Sequence, residues 1–246
     1  MGDLASLAFL PQTREMEGLI LIDKPAGMTS HDVVNAVRKV ARTRCVGHAG
    51  TLDPFATGLL ILGIGKATKT LNQLVGLDKT YLVTAQLGAI TNTYDVEGDV
   101  VPQNVTHIPE ADEVEDVLCA FRGGYRQKAP AFSAKKVKGK RLYELAREGK
   151  ADMETLRPEK DVCIKRLRII EYSWPDLTLE VACSSGTYIR SLVHDIGEAL
   201  HVGAYAKILR RTAIGSYSVE DAISLEDLDE SQLNQGLFTL DKAPVS

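Results

Sequence analysis

The sequence predicts an α+β protein whose sheet is mixed and largely antiparallel. Three observations carry that. "KTYLVTAQLG" (79–88) alternates cleanly, with Tyr81, Val83, Ala85 and Leu87 on one face and Leu82, Thr84 and Gln86 on the other. "SHDVVNAVRKVAR" (30–42) sets Val33, Val34, Val37, Val40 and Ala41 on one helical face. Strand and helix signals then follow one another with no regular βαβ rhythm, so helices flank the sheet instead of alternating with parallel strands.

The elements follow in order. Residues 1–17 read as a loose leader or a cloning remnant, because "LASLAFL" is too short and lacks the basic flank of a signal peptide. "GLILIDKPAG" (18–27) is a short apolar strand stopped by Pro25 and Gly27, and Ser30 is the expected N-cap of the helix after it. A Gly-rich loop from Gly47 leads into "LLILGIG", a buried strand, and "KATKTLNQLVG" reads as a short helix ending at Gly76. The acidic stretch 95–116 is expected to be loop and then helix. The basic stretch 121–147 is expected to hold a loop around Pro130 and a helix near Leu142–Arg147. "DLTLEVACSSGTYIRSLVHDIGEAL" (176–200) reads as strand, tight turn and helix. Residues 18–216 are expected to form one catalytic domain, followed by an acidic, loop-like C-terminal segment, 217–246.

Composition excludes several classes. No apolar run reaches membrane-spanning length. Four scattered cysteines without a C-x-x-C pair fit neither a zinc site nor a disulfide framework, and suit buried thiols in a reducing cytoplasm. The net charge of −4 argues against a nucleic-acid partner, but its distribution argues the other way. Residues 121–147 hold nine Lys/Arg against Glu144 alone, while 95–116 hold eight Asp/Glu and no Lys/Arg. Charge segregated in this way gives a basic face to an acidic chain, or simply two solvated faces.

Three residues break local expectations. Asp53 is the only ionised group in "GHAGTLDPFATGLL" (47–60), and Pro54 fixes its backbone, as a turn former and a catalytic carboxylate both require. Tyr81 falls on the apolar face of its strand, where its phenol needs a partner, as a core tyrosine or as a working group. Arg190 lies in the first turn of its helix, where the positive end of the dipole disfavours a cation. It is a surface accident or is compensated by an anion at a site. No nucleotide loop and no metal-ligand motif is present in the sequence.

Together these stretches resemble the TruB family of tRNA pseudouridine synthases. The resemblance rests on "DKPAGMTSHDVV" (23–34), "GHAGTLDPFATGLLILGIGKATK" (47–69), "DKTYLVTAQLG" (78–88), "KAPAFSAKKVKGKRLYELAREG" (128–149), "CSSGTYIRSLVHDIGEAL" (183–200) and "AKILRRTAIGSY" (206–217), in the family's order. It implies the pseudouridine synthase fold, a mixed sheet flanked by helices with a central catalytic cleft. It implies Asp53, Tyr81 and Arg190 as catalytic residues and His48, Tyr188 and Leu209 as substrate contacts, with segment 128–149 touching RNA. The implied reaction is isomerisation of the T-loop uridine of tRNA, position 55, to pseudouridine, by an aspartate acting on a flipped-out base without cofactor or metal. The implied partner is the tRNA T stem-loop, with no DNA and no membrane, for a cytoplasmic monomer. Many relatives carry a small RNA-binding PUA domain at the C-terminus, which this sequence is expected to lack. A non-catalytic RNA chaperone and a guide-dependent subunit are the alternatives, and the presence of all three catalytic positions favours the enzyme.

Overall fold

The computed structural model describes residues 16–130, 136–137, 140–141 and 157–240. Ten strands form one sheet, in the order β14-β1-β3-β12-β4-β11-β10-β7, with β2 added to β3 and β13 to β12. They are β1 (Gly18–Lys24), β2 (Val46–His48), β3 (Thr57–Ile64), β4 (Lys79–Leu87), β7 (Gly123–Lys128), β10 (Glu159–Ser173), β11 (Asp176–Cys183), β12 (Ala204–Ile214), β13 (Tyr217–Ser218) and β14 (Ile223–Ser224). Strands β5 (Ala89–Thr91) and β6 (Val100–Pro102) form a separate hairpin, as do β8 (Lys136–Val137) and β9 (Lys140–Arg141). The helices are α1 (Ser30–Val40), α2 (Leu71–Val75), α3 (Ala111–Phe121), α4 (Ile189–Ala199) and α5 (Glu230–Gly236).

All pairs in the large sheet are antiparallel except β1 with β14 and β3 with β12. The β3–β12 contact is also narrow. It joins only Thr57 to Arg210 and Gly58 to Arg211, and a Cβ on Gly58 would stand 2.3 Å from the Arg211 carbonyl oxygen. Two apolar clusters lie to either side of this seam, and a third, with Leu59 and Ile61 of β3 against Ile214 of β12 and Tyr217 of β13, bridges it. On one side α1 and α5 close over Ile20, Ile22, Leu60 and Leu62. On the other, α3 and α4 cover β4, β10, β11 and β12 through Val114, Leu118, Leu192 and Ile196. The loop 49–56, which carries Asp53, leaves β2 and re-enters the sheet at this seam.

Most sequence expectations for single elements stand, and the departures have local causes. The N-cap of α1 is Thr29, not Ser30, because Thr29 and Asp32 complete a capping box, with the Asp32 amide donating to Thr29 Oγ1 at 3.1 Å. Ser30 is turned inward and bonds Leu52 instead, its Oγ accepting from the Leu52 amide at 2.9 Å. Of the four cysteines expected to be buried, only Cys183 is. Cys163 is half-buried, while Cys45 and Cys119 are exposed. Segment 217–240 is more ordered than its composition suggests: it supplies β13, β14 and α5, and Leu233 is fully buried against β1 and α1. The loop expected around Pro130 begins as such, with Ala129 and Pro130 outside any strand or helix, while residues 131–135 and the helix expected near Leu142–Arg147 lie outside the described residues. Among the described residues no helix is long and apolar enough to cross a membrane.

Candidate active site

Asp53 sits in a loop that is held at every step. Ser30 pins Leu52, and the Gly27 amide donates to the Pro54 carbonyl at 2.9 Å. The Lys24 ammonium, fully buried, donates to the carbonyls of Pro25, Met28 and Pro54 at 2.8, 2.7 and 3.1 Å. Burial lowers its pKa to about 8, against the pull of the Asp53 charge. Further back, Gly50 takes φ +98°, a conformation that favours glycine, and its carbonyl accepts from Arg211. An Asp-Pro turn in solvent needs none of these restraints.

Arg190 meets the Asp53 carboxylate with both faces of its fork, Nε to Oδ2 at 2.9 Å and Nη2 to Oδ1 at 3.1 Å. The anion expected to compensate a first-turn cation is therefore Asp53. It is not alone. Arg190 Nη1 also donates to Asp95 Oδ2 at 2.9 Å and to the Thr93 carbonyl at 2.8 Å. The Arg190 and Asp95 side chains are 5% and 3% exposed, while Asp53 keeps 36%, so one end of the triad is sealed and the other faces the cavity. Asp95 is itself held, since Oδ1 accepts from Thr93 Oγ1 at 2.7 Å and from the Glu97 amide at 3.0 Å. The sequence reading missed Asp95. It is one acid in a run of acids, and its placement depends on Tyr94 adopting φ +64° and on the Ala206 amide bonding the Tyr94 carbonyl at 3.0 Å.

Two hollows meet at Asp53. One, of about 530 Å³, is walled by Asp95, Glu97, Asp99 and Arg190. The other, of about 310 Å³, is walled by Tyr81, Lys79, Tyr188, Ile189, Leu209 and Arg211. Tyr81 comes from β4 and Leu209 from β12, on adjoining strands. Burial pushes the Tyr81 phenol above its ordinary pKa, and the Arg211 cation opposes that. Burial, with the same cation, lowers Lys79 to about 8, its ammonium donating to the Val75 and Leu77 carbonyls at 2.6 Å each. Tyr188 caps the start of α4, and Gln127 locks it in place, accepting from its amide at 2.8 Å and donating to its carbonyl at 3.0 Å.

The structure thus gathers Asp53, Tyr81, Arg190, Tyr188 and Leu209 around one opening. His48 is not among the lining residues. It lies on β2 opposite Leu62, where burial lowers its pKa. Among the described residues no group of acids, histidines and cysteines could hold a metal ion. A sealed arginine holding a half-exposed carboxylate beside a buried phenol suits a directed nucleophile with a proton relay at hand.

Comparison with known proteins gives the family. Residues 38–189 match the TruB family pseudouridylate synthase N-terminal domain, and residues 190–241 match the tRNA pseudouridylate synthase B C-terminal domain. The tRNA pseudouridine synthase B of Actinobacillus pleuropneumoniae is 46% identical over 93% of this chain and 74% of its own length. That of Thermosipho melanesiensis is 45% identical over 92% and 73%. Among solved structures, a Cbf5-Nop10-Gar1 complex matches with a TM-score of 0.65 at 32% identity, over 86% of this chain. An H/ACA RNP bound to a substrate RNA containing 2'-deoxyuridine matches with a TM-score of 0.63 at 31% identity, also over 86%. This chain spans about half the length of those two chains. On the family match and on the identity to these synthases, the chain belongs to the TruB family of pseudouridylate synthases.

Proposed function

We propose that this protein isomerises the T-loop uridine of tRNA, position 55, to pseudouridine, with Asp53, Tyr81 and Arg190 as its catalytic residues and no cofactor. One observation carries the reading: the Arg190 fork aims the Asp53 carboxylate into an opening shared with Tyr81. The reaction breaks the bond between C1′ and N1, turns the uracil, and joins C1′ to C5. The proton leaving C5 is balanced by the proton gained at N1.

Asp53 acts as the nucleophile in this scheme. Arg190 fixes the direction of its lone pairs, and Asp95 takes up part of the guanidinium charge, so Asp53 is positioned without being fully neutralised. The Tyr81 ring offers a face to the freed base, and its hydroxyl relays the C5 proton. The base must first leave its stack, at a cost of about a few kcal/mol, and Tyr188 and Leu209 offset that by contact in the pocket. One copy of the chain binds one T stem-loop, with the basic stretch 121–147 meeting phosphates.

The test is tritium release from tRNA labelled at uracil C5, with a T-loop substitution in the tRNA as control. Release from the normal tRNA and none from the altered one is the expected result. No release from either overturns the proposal. Arg190→Lys, which keeps the charge but loses the planar fork, is expected to slow release while tRNA binding stays intact.

A further inference from the structure

Arg211 is the largest fully buried side chain of the described residues, at 1% exposure, and stands on β12 beside Tyr81 of β4. A buried cation calls for an anion or a full set of acceptors. Among the described residues its acceptors are backbone carbonyls: Nε donates to Leu59 at 2.8 Å, Nη2 to Gly50 at 3.2 Å and Nη1 to Thr51 at 3.4 Å. Two of these lie in the loop that carries Asp53, and the third is on the strand that follows it. Arg211 and Tyr81 stand opposite one another in the β12–β4 register, and the Arg211 charge works against the burial that raises the Tyr81 pKa. It also lines the hollow between Asp53 and Tyr81.

We infer that Arg211 is a positioning residue: one rigid fork registers the Asp53 loop and the Tyr81 hydroxyl to each other across the β3–β12 seam. The chemistry explains the choice of arginine. A planar fork with five donors can satisfy three diverging carbonyls and still face a phenol, whereas a lysine presents a single point of charge. The seam needs such a link because only two residue pairs join β3 to β12, and strand pairing alone leaves the loop's distance from β4 weakly fixed. Arg190 aims the carboxylate from the helix side, and Arg211 sets the loop from the sheet side.

This inference rests on the reaction proposed above, and the test separates the two. In this chain, Arg211→Lys is expected to lower the single-turnover rate roughly 100-fold, the scale of a misplacement near 1 Å. The Kd for tRNA is expected to stay within about threefold, since no substrate contact is lost. In a Tyr81→Phe background the same substitution is expected to cost clearly less, because part of its effect passes through the hydroxyl. Amide exchange in the free protein is expected to rise over residues 49–53 and not over α3. Arg211→Gln, which removes the charge, is expected to give the same pattern. Losses that multiply independently of Tyr81, or exchange over 49–53 that stays at the wild-type level, overturn the inference. If both variants fail to fold, Arg211 is a core brace and the inference fails as well. A wild-type protein that releases no tritium overturns the reaction, while the exchange measurement still judges the restraint on the loop.

Discussion

On one side of Asp53 the cavity wall carries Asp95, Glu97 and Asp99 around Arg190; on the other it carries Tyr81, Tyr188, Ile189 and Leu209, with Lys79 and Arg211 behind them. The first wall uses charge. Two carboxylates close on one guanidinium, and the remaining acids leave that side negative. The second wall uses burial, and its cations are held by backbone carbonyls instead of acids. A flipped base, apolar on its faces and polar at its edges, suits the second wall, while a phosphate is repelled by the first. Asp53 stands at the border, where its direction is set by the acidic wall, and in the proposed reaction the apolar wall holds the base it attacks.

Asp53→Asn breaks both sides of this comparison at once. It keeps the shape, weakens the ion pair and removes the proposed nucleophile. Turnover is expected to fall by about 10⁴-fold or more, with tRNA binding retained, as measured by tritium release and filter binding. Tyr81→Phe tests the apolar wall alone. The ring stays on its face of β4 and the hydroxyl is lost, so single-turnover rates are expected to drop roughly 10³-fold, with thermal stability little changed. A rate near wild type would return Tyr81 to the role of a satisfied core tyrosine.

Asp95→Asn tests the acidic wall. Arg190 would then have Asp53 as its one carboxylate partner among the described residues, and would neutralise the nucleophile more completely while losing a fixed hold. A fall of roughly 100-fold in the single-turnover rate with unchanged Kd is expected. Loss of stability is also expected, because removing one partner of a buried pair leaves charge less compensated. A fall in binding with the rate preserved would move Asp95 from the catalytic geometry to the RNA interface.

The two walls differ in how far the sequence revealed them. The apolar wall was legible. The alternation of β4 put Tyr81 on the buried face, and of the acidic wall the helical stripe of α4 revealed Arg190, in a first turn where it needed an anion. Those are local periodicities, which one sequence displays. The acidic wall was half hidden. Asp95 reaches Arg190 through a positive-φ residue and a bond to β12 more than a hundred residues away, and no local pattern encodes that meeting. Arg211 was hidden for a related reason, since β12 presents two adjacent arginines of opposite fate. Arg210 pairs with Asp23 at 2.6 Å near the surface, and Arg211 is sealed within the sheet. Strand alternation says that they face apart, but only the neighbouring strands say which faces in.

Glu97 sharpens the comparison with the smallest expected effect. It stands exposed at the mouth of the acidic hollow and bonds neither Asp53 nor Arg190 among the described hydrogen bonds, so its charge acts at a distance. If that wall discourages phosphates, Glu97→Gln should speed tRNA association by about twofold at low ionic strength and leave the single-turnover rate unchanged. The gain should disappear by about 0.5 M salt, where the screening length is only a few ångström. The pH dependence has a definite sign. Burial, then the charges of Asp95 and Asp53, raises the Glu97 pKa above that of an ordinary glutamate. As pH falls through that raised value the wild-type side chain takes up a proton and comes to resemble the variant. The two association rates should therefore converge on the acid side, at a higher pH than a free glutamate would give, and separate fully at neutral pH. Stopped-flow association with labelled tRNA across pH and salt reads both trends. Equal rates under all conditions would mean that the acidic wall serves only to hold Arg190 and plays no part in guiding the RNA.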